Sequence, residues 1–590
     1  MDPGPSTGHT PGDTMTSRSR PRSGLPTDLG FTPQPMVEWL SPRELLNAWL
    51  RVALSSVFGA YADKRELQGM QPLGDALDYS HHEEFWIDYV ADVADGFDAT
   101  MTVATVLARP EWSLEGPDGI SHPTRRGDVL IMGGDQVYPS ADFRNYRNRL
   151  IGPYRSAMPA PSGPSPHLFA IPGNHDWYDG LTAFLRVFCQ NEQIGGWQTR
   201  QRRSYFALQL PQRWWLWGID IQFESYLDPS QLYYFRDVIG PQLEAGDSVI
   251  LCSAKPSWID SNTGEPDAYE NIDLLARDIV APRGAVIRLV IAGDKHHYAR
   301  YSAVDGDAQR ITSGGGGAYL AGTHQLPRSL EIPPKESTDI DRSPPATYKL
   351  AKAYPSQATS RRLRAGVLRL PWQNGSFWGL VGFFYLVIGW SVILGLRLTD
   401  EGFADMLRTM SWSQLLGGLL APVGFVMAIG LITGLAFFTQ TSNVVIRWVL
   451  GTGHALAHLV LVLVTIFFAA RVMGDLDDNL LLIGVTLVLG SIGGLLGSWL
   501  VAVYLLIADL FRCNTNELFA AQHIEGYNNF VRFHISPDGS LTLHPVKIQK
   551  VVRWQFSPEG GAQDPWFAPV GSPPQPKLIE EPIRIEPLDR

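Results

Sequence analysis

Four long apolar segments lie close together in the last third of the chain, at about Phe377–Leu396, Leu415–Phe438, Trp448–Ala470 and Leu480–Ile507. Each is near or above the roughly 20 residues that cross a bilayer as a helix. Helices of a soluble bundle would need polar faces at helical spacing, and these segments have almost none. The 590-residue chain therefore divides into an all-α four-span membrane domain over 376–508 and a large polar region with its own core.

The charges flanking the spans predict an orientation. Lys349, Lys352, Arg361, Arg362, Arg364 and Arg369 precede the first span, and Arg447 lies between the second and third. The loops after the first and third spans carry Asp400, Glu401 and Asp405, then Asp475, Asp477 and Asp478. Positive-inside logic places the region before the spans in the cytoplasm, and four spans return the C-terminus to that side. The expectation is a multi-pass cell-membrane protein with the lipid bilayer as its environment and both termini cytoplasmic.

The first 35 residues are rich in Pro, Ser, Gly and Thr. Their basic cluster, Arg18, Arg20 and Arg22, is followed by no apolar core of a signal peptide, so they read as a disordered tail. Residues 331–375, with Pro333-Pro334 and Pro344-Pro345, read as a linker. The tail 509–590 contains two alternating strands around Pro537-Asp538-Gly539, a hairpin signal. Cys189, Cys252 and Cys513 are too far apart for a CxxC site and fit a reducing compartment. A formal charge of −11 argues against a nucleic-acid partner.

Residues 36–330 form the remaining domain. Apolar runs at Phe85–Ala91, Val129–Met132, His167–Ile171, Trp214–Ile221, Ser248–Ser253 and Ala285–Ala292 alternate with helical or loop stretches. Several are continuous, as strands covered on both faces are. The pattern predicts an α/β layered β-sandwich, with active-site loops at the strand ends.

Four of those ends carry chemistry. They are Asp92-Val93-Ala94-Asp95, Gly134-Asp135-Gln136-Val137-Tyr138, Gly173-Asn174-His175-Asp176 and Gly293-Asp294-Lys295-His296-His297. Asp, Asn, Tyr and His are the side chains that hold cations over a phosphate. Singly, each is an ordinary turn carboxylate or packing aromatic; the ordered set carries the reading. Asp88, Asp95 and Asp98 read as capping or supporting groups, and Ser313-Gly314-Gly315-Gly316-Gly317 as a tight turn. His454 and His458 share one face of the third span, for interhelical hydrogen bonding or for a haem or metal. Gly490, Gly493, Gly494 and Gly497 give small-xxx-small pairs for close packing within the chain or in a homo-oligomer.

In these residues the chain resembles the calcineurin-like metallophosphoesterase superfamily, over roughly Phe85–Gly322, in the layout of membrane-attached bacterial members. It is similar to the purple acid phosphatase variant, because Ala94 replaces the His of D-x-H while Tyr138 supplies the GDxxY tyrosine. The resemblance implies a metal-dependent hydrolase of phosphate mono- or diesters with two divalent or mixed-valence ions (Mn, Fe, Zn or Mg). Asp92, Asp135, Tyr138 and His296 would hold one ion; Asp135 would bridge to the second, which Asn174 and Asp294 would also ligate. His175 and His297 would contact substrate, with His175 oriented by Asp176. Ala254 stands where the family has a histidine ligand, and Asp294 replaces another. Lys295 or Lys255 could supply some of the missing charge. These departures leave a second reading, a catalytically degenerate metal or nucleotide sensor. Tethering to a bilayer suggests a lipid-linked phosphate ester.

Overall fold

The computed structural model describes residues 20–47, 74–221, 227–396 and 403–588. Two mixed sheets pack face to face. In the first, the strands Phe85–Val90, Val129–Met132 and His167–Ala170 run parallel, in that spatial order. In the second, Trp214–Gly218, Ser248–Cys252, Val286–Ala292 and Gln309–Ser313 are parallel neighbours. Ile87, Tyr89, Ile131 and Phe169 of one sheet meet Leu216, Ile250, Leu289 and Ile311 of the other in a shared core. The helix Phe97–Ala108 covers the outer face of the first sheet, and helical turns between Pro229 and Arg283 cover that of the second. Each central strand is therefore buried on both faces, which is why the apolar runs are continuous. Full burial of each such Val, Leu or Ile contributes ~1.5–3 kcal/mol.

Three expected boundaries move. The C-terminal hairpin does form, but as part of the first sheet. Strands Asn528–Ile535 and Leu541–Ile548 pair with each other, and Val531 stands opposite Tyr89 of Phe85–Val90. Buried Arg532 clamps Asp88 through two hydrogen bonds, Nε to Oδ1 at 2.6 Å and Nη2 to Oδ2 at 3.0 Å. The chain thus leaves the sandwich, forms the apolar helices and returns to complete the sheet. The predicted linker is largely sheet: Ala346–Tyr354 pairs with both Tyr298–Ala303 and Ser329–Ile332. Lys349 and Lys352 belong to this half-exposed strand near the sheet edge. The tail expected over 1–35 is ordered in its described part, where Leu29 and Phe31 are buried in the outer helical layer; residues 1–19 lie outside the described residues.

The C-terminal helical region has three helices long and apolar enough to cross a membrane: Gly375–Leu394, Val444–Val472 and Asp478–Leu510. The segment expected as a single second span is broken. Trp412–Leu420 and Pro422–Phe438 meet at 76°, making four crossings if the bent pair counts as one. The break falls at Ala421, which is extended (ψ 155) before Pro422 at the start of the next helix, as residues preceding proline tend to be. Asp400 and Glu401 lie outside the described residues. A Cβ added at Gly490, Gly493, Gly494 or Gly497 would press on Leu386, Tyr385, Gly382 or Val381, so the glycine stripe packs on the first helix of the same chain.

One buried carboxylate fastens the helices to the sandwich. Asp509, at the end of the last long helix, accepts from Arg364 Nη1 (2.5 Å), Gln325 Nε2 (2.7 Å) and Thr515 Oγ1 (3.0 Å), with His324 Nε2 at 3.0 Å. These partners come from the sandwich, the segment before the first helix and the segment after the last.

Candidate metal centre

The four strand ends converge at one edge of the sandwich. The Tyr138 hydroxyl lies 3.1 Å from Asp92 Oδ1, 3.3 Å from Asp135 Oδ2 and 3.0 Å from His296 Nε2. Sequence separations of 46 and 158 residues collapse onto one oxygen. The backbone is strained to achieve this: Asp92 (φ 57), Asp135 (φ 47), Asp294 (φ 70) and His296 (φ 36) all occupy the left-handed region, which non-glycine residues seldom adopt. The glycine turn closes behind them, and a Cβ at Gly314 would overlap the Asp92 carboxylate.

The electrostatics follow from burial. Asp92 and Asp135 are both pushed above the usual carboxylate range, first by burial and then by neighbouring carboxylates. Among the described residues no Lys or Arg pairs with either. Burial raises the Tyr138 phenol and lowers the His296 imidazole to about 4. His296 Nδ1 faces Tyr319 O at 2.9 Å, so a neutral ring donates there and leaves its Nε2 lone pair toward Asp92 and Tyr138. Two buried acids, a phenol and a neutral imidazole form a donor set for a hard or borderline cation. Among the described residues, one trio of Asp, Glu and His brings its ligand atoms within 4.8 Å: Asp118, His122 and Glu581 at the surface. Asp92, Asp135 and His296 do not bring their ligand atoms within that distance of one another; the buried Tyr138 hydroxyl lies among them at 3.0–3.3 Å.

The neighbouring position differs. Asn174 lines the same pocket as Asp135, with its amide 3.5 Å from the Tyr178 hydroxyl. Ala254 is buried at the expected place, and a Cβ on Gly134 would lie 3.1 Å from its methyl, so this strand end brings no ligand. Asp294 Oδ2 is 3.0 Å from Lys295 Nζ, which also reaches Asp260 at 3.4 Å. Burial alone would raise Asp294, but the ammonium beside it holds it below its ordinary value. The expected ligand Asp294 is thus already engaged by a cation.

Asp176 does not take the place expected for it beside the His175 ring. The His175 amide donates to Asp135 Oδ1 (2.9 Å), its Nδ1 faces Pro139 O (3.0 Å), and its ring lines the pocket. The Asp176 carboxylate accepts from the Gly173 amide (2.9 Å), the Gln136 amide (3.2 Å) and the Tyr146 hydroxyl. It braces the two ligand loops rather than orienting the imidazole, because consecutive residues of a helix such as Asn174–Trp177 do not face each other. His297 lines the pocket, 3% exposed. His324 belongs to the Asp509 joint. Asp88, Asp95 and Asp98 do support the structure: Asp95 accepts from the Val37 amide, and Asp98 from the Trp554 amide.

Several residues here carry no local sequence signal. Trp39 roofs the site, its ring edge-on to Tyr138, His175 and Tyr319 at 5.6–5.8 Å. Tyr319 links His296 to Asn516 in the short helix Thr515–Ala520, its hydroxyl donating to Asn516 Oδ1 at 2.7 Å. In the helices, His454 and His458 hydrogen-bond each other (3.0 Å) and His458 bonds Tyr385 (2.8 Å), which is the interhelical alternative. Compared with known proteins, the chain matches no family model and no curated protein.

Proposed function

We propose that the chain is a metal-dependent phosphoesterase fixed to a membrane by its apolar helices, with the sandwich on the cytoplasmic side. One observation carries the reading: Asp92, Asp135 and His296 meet around the Tyr138 hydroxyl at 3.0–3.3 Å. These residues would hold one ion tightly. A second, weaker position beside Asn174 and Asp135 competes with Lys295 for Asp294.

A bound ion supplies a water of lowered pKa and positive charge for the phosphate oxygens. Lys295 adds a fixed cation on the side where Ala254 brings no ligand. His175, anchored through Nδ1 to Pro139 O, turns Nε2 to the substrate and protonates the leaving oxygen. Asp176 holds the Gly173 and Gln136 loops in register and so positions Asn174 and Asp135. Trp39 and Tyr319 shield the cluster from bulk water, which strengthens each charge interaction inside it.

The Lys295–Asp294 pair and Ala254 favour a second reading, a metal-binding domain without turnover. Metal analysis of the purified full chain with a panel of phosphate mono- and diesters separates the two. Metal-dependent release of phosphate or alcohol supports the esterase, metal without turnover supports the second reading, and neither metal nor turnover removes both. Orientation has its own test: a cysteine beside Asp477 reacts with an impermeant reagent in intact cells, and one beside Pro345 only after lysis. The reverse pattern puts the sandwich outside.

A further inference from the structure

We infer that the substrate is an amphiphile, a lipid-borne phosphate ester whose headgroup is held between the sandwich and the membrane helices. This rests on the phosphoesterase reading above.

The pocket over the candidate centre, about 540 Å³, has two walls of different origin. Asp135, Asn174 and His297 come from the sandwich, while Gln440 and Arg512 come from the connections that follow the helices Pro422–Phe438 and Asp478–Leu510, and Asn516 from the short helix Thr515–Ala520. Such a volume suits a headgroup-sized ligand. The helix-end wall is built, not draped. The Tyr504 hydroxyl bonds Thr439 (2.7 Å) and Asn514 (3.1 Å), and Gln440 donates to Glu517 (2.6 Å). Asn516 is tied through Tyr319 to His296, so this wall and the metal side share one support.

Two lining groups are unspent. His297 is 3% exposed, and neither ring nitrogen has a hydrogen-bond partner of proper geometry among the described residues. A buried polar group in that state is destabilising unless a ligand satisfies it. Arg512 makes no ion pair among the described residues and sits just past a helix end at φ 59, where glycine is the usual occupant. Its guanidinium offers a planar, permanently charged fork of donors on the helix-end wall, placed for the glycerol and ester-carbonyl oxygens that a lipid carries beyond its scissile phosphate.

The rim says where the rest of the molecule goes. Phe437, Val444, Val445, Leu510 and Phe511, all within four residues of the lining positions or the loop between them, are 50–69% exposed. They belong to the ends of helices that are apolar enough to lie in lipid. A headgroup in the pocket therefore has its acyl chains directed to a lipid-facing surface. A water-soluble ester would have no use for that rim.

The test uses the full chain in detergent–lipid mixed micelles with Mn²⁺. Lipid probes are phosphatidic acid and phosphatidylglycerol; the water-soluble analogues are glycerol phosphate and glycerophosphoglycerol. The nitrophenyl mono- and diesters of phosphate serve as reporters. We expect one lipid to be turned over at least a hundredfold more efficiently than its soluble analogue. Arg512→Gly, which suits the backbone at that position, should lower kcat/KM for the lipid at least tenfold more than for the reporter, with partial recovery in Arg512→Lys. Soluble analogues hydrolysed as fast as the lipids, or equal losses on lipid and reporter, overturn the inference. Reporter hydrolysis with no lipid turnover overturns it while leaving the phosphoesterase reading intact. No hydrolysis of any ester removes both.

Discussion

The two halves of the candidate centre are built from the same strand ends yet solve opposite problems. On one side Asp92, Asp135, Tyr138 and His296 bring donors together with no Lys or Arg partner among the described residues. On the other, Asp294 already holds Lys295, and Ala254 brings nothing. A buried carboxylate that is not neutralised or paired is expensive, so on the proposed reading the first half would take an external cation, while the second carries its own. Under the proposed function, the site would keep two positive positions with a side chain in place of one metal.

Substitutions can break that comparison. Asp135→Asn has the largest expected effect, since Asp135 touches Tyr138 and the His175 amide and lines the pocket. Metal affinity should fall by more than the roughly 10–100-fold that losing a ligand's supporting partner costs, and turnover should vanish. Wild-type metal content with full activity would end the assignment. Next, His175→Ala should lower kcat by ~10²–10⁴-fold while metal content stays at the wild-type level. An equal loss of metal would make it a ligand instead.

Lys295→Ala sharpens the contrast. Turnover should drop by about 10²-fold, the scale of removing one fixed transition-state stabiliser. Freed from its ammonium, Asp294 should also let a second equivalent of metal bind in a titration. Unchanged rate and stoichiometry would show that Lys295 is only a surface ion pair. Tyr138→Phe should have the smallest effect, weakening metal retention about tenfold. If the ion is Fe³⁺, a visible tyrosinate band present in the native protein should disappear in this variant; an unaltered band excludes Tyr138 as its source.

The candidate site was more legible in the sequence than the frame around it. Strand ends announce themselves locally, because a continuous apolar run stopping at Gly or Asp needs only neighbouring residues to be read. The Asp88–Arg532 clamp spans 444 residues, and nothing near Arg532 hints at its partner. Trp39 and Arg512 were equally hidden, since their roles depend on elements brought over the site from far along the chain. Adjacency misled at Asp176: the residue beside His175 points away from it to the Gly173 and Gln136 amides. The apolar composition of Leu415–Phe438 concealed its break, although Pro422 was in view.

The most direct measurement is an anomalous difference map from crystals of the full chain soaked in Mn²⁺. The account predicts a strong peak among Asp92, Asp135, Tyr138 and His296, with weak or no density beside Asp294 while Lys295 is present. A peak at Asp118, His122 and Glu581 alone, or none among the first four residues, would contradict it.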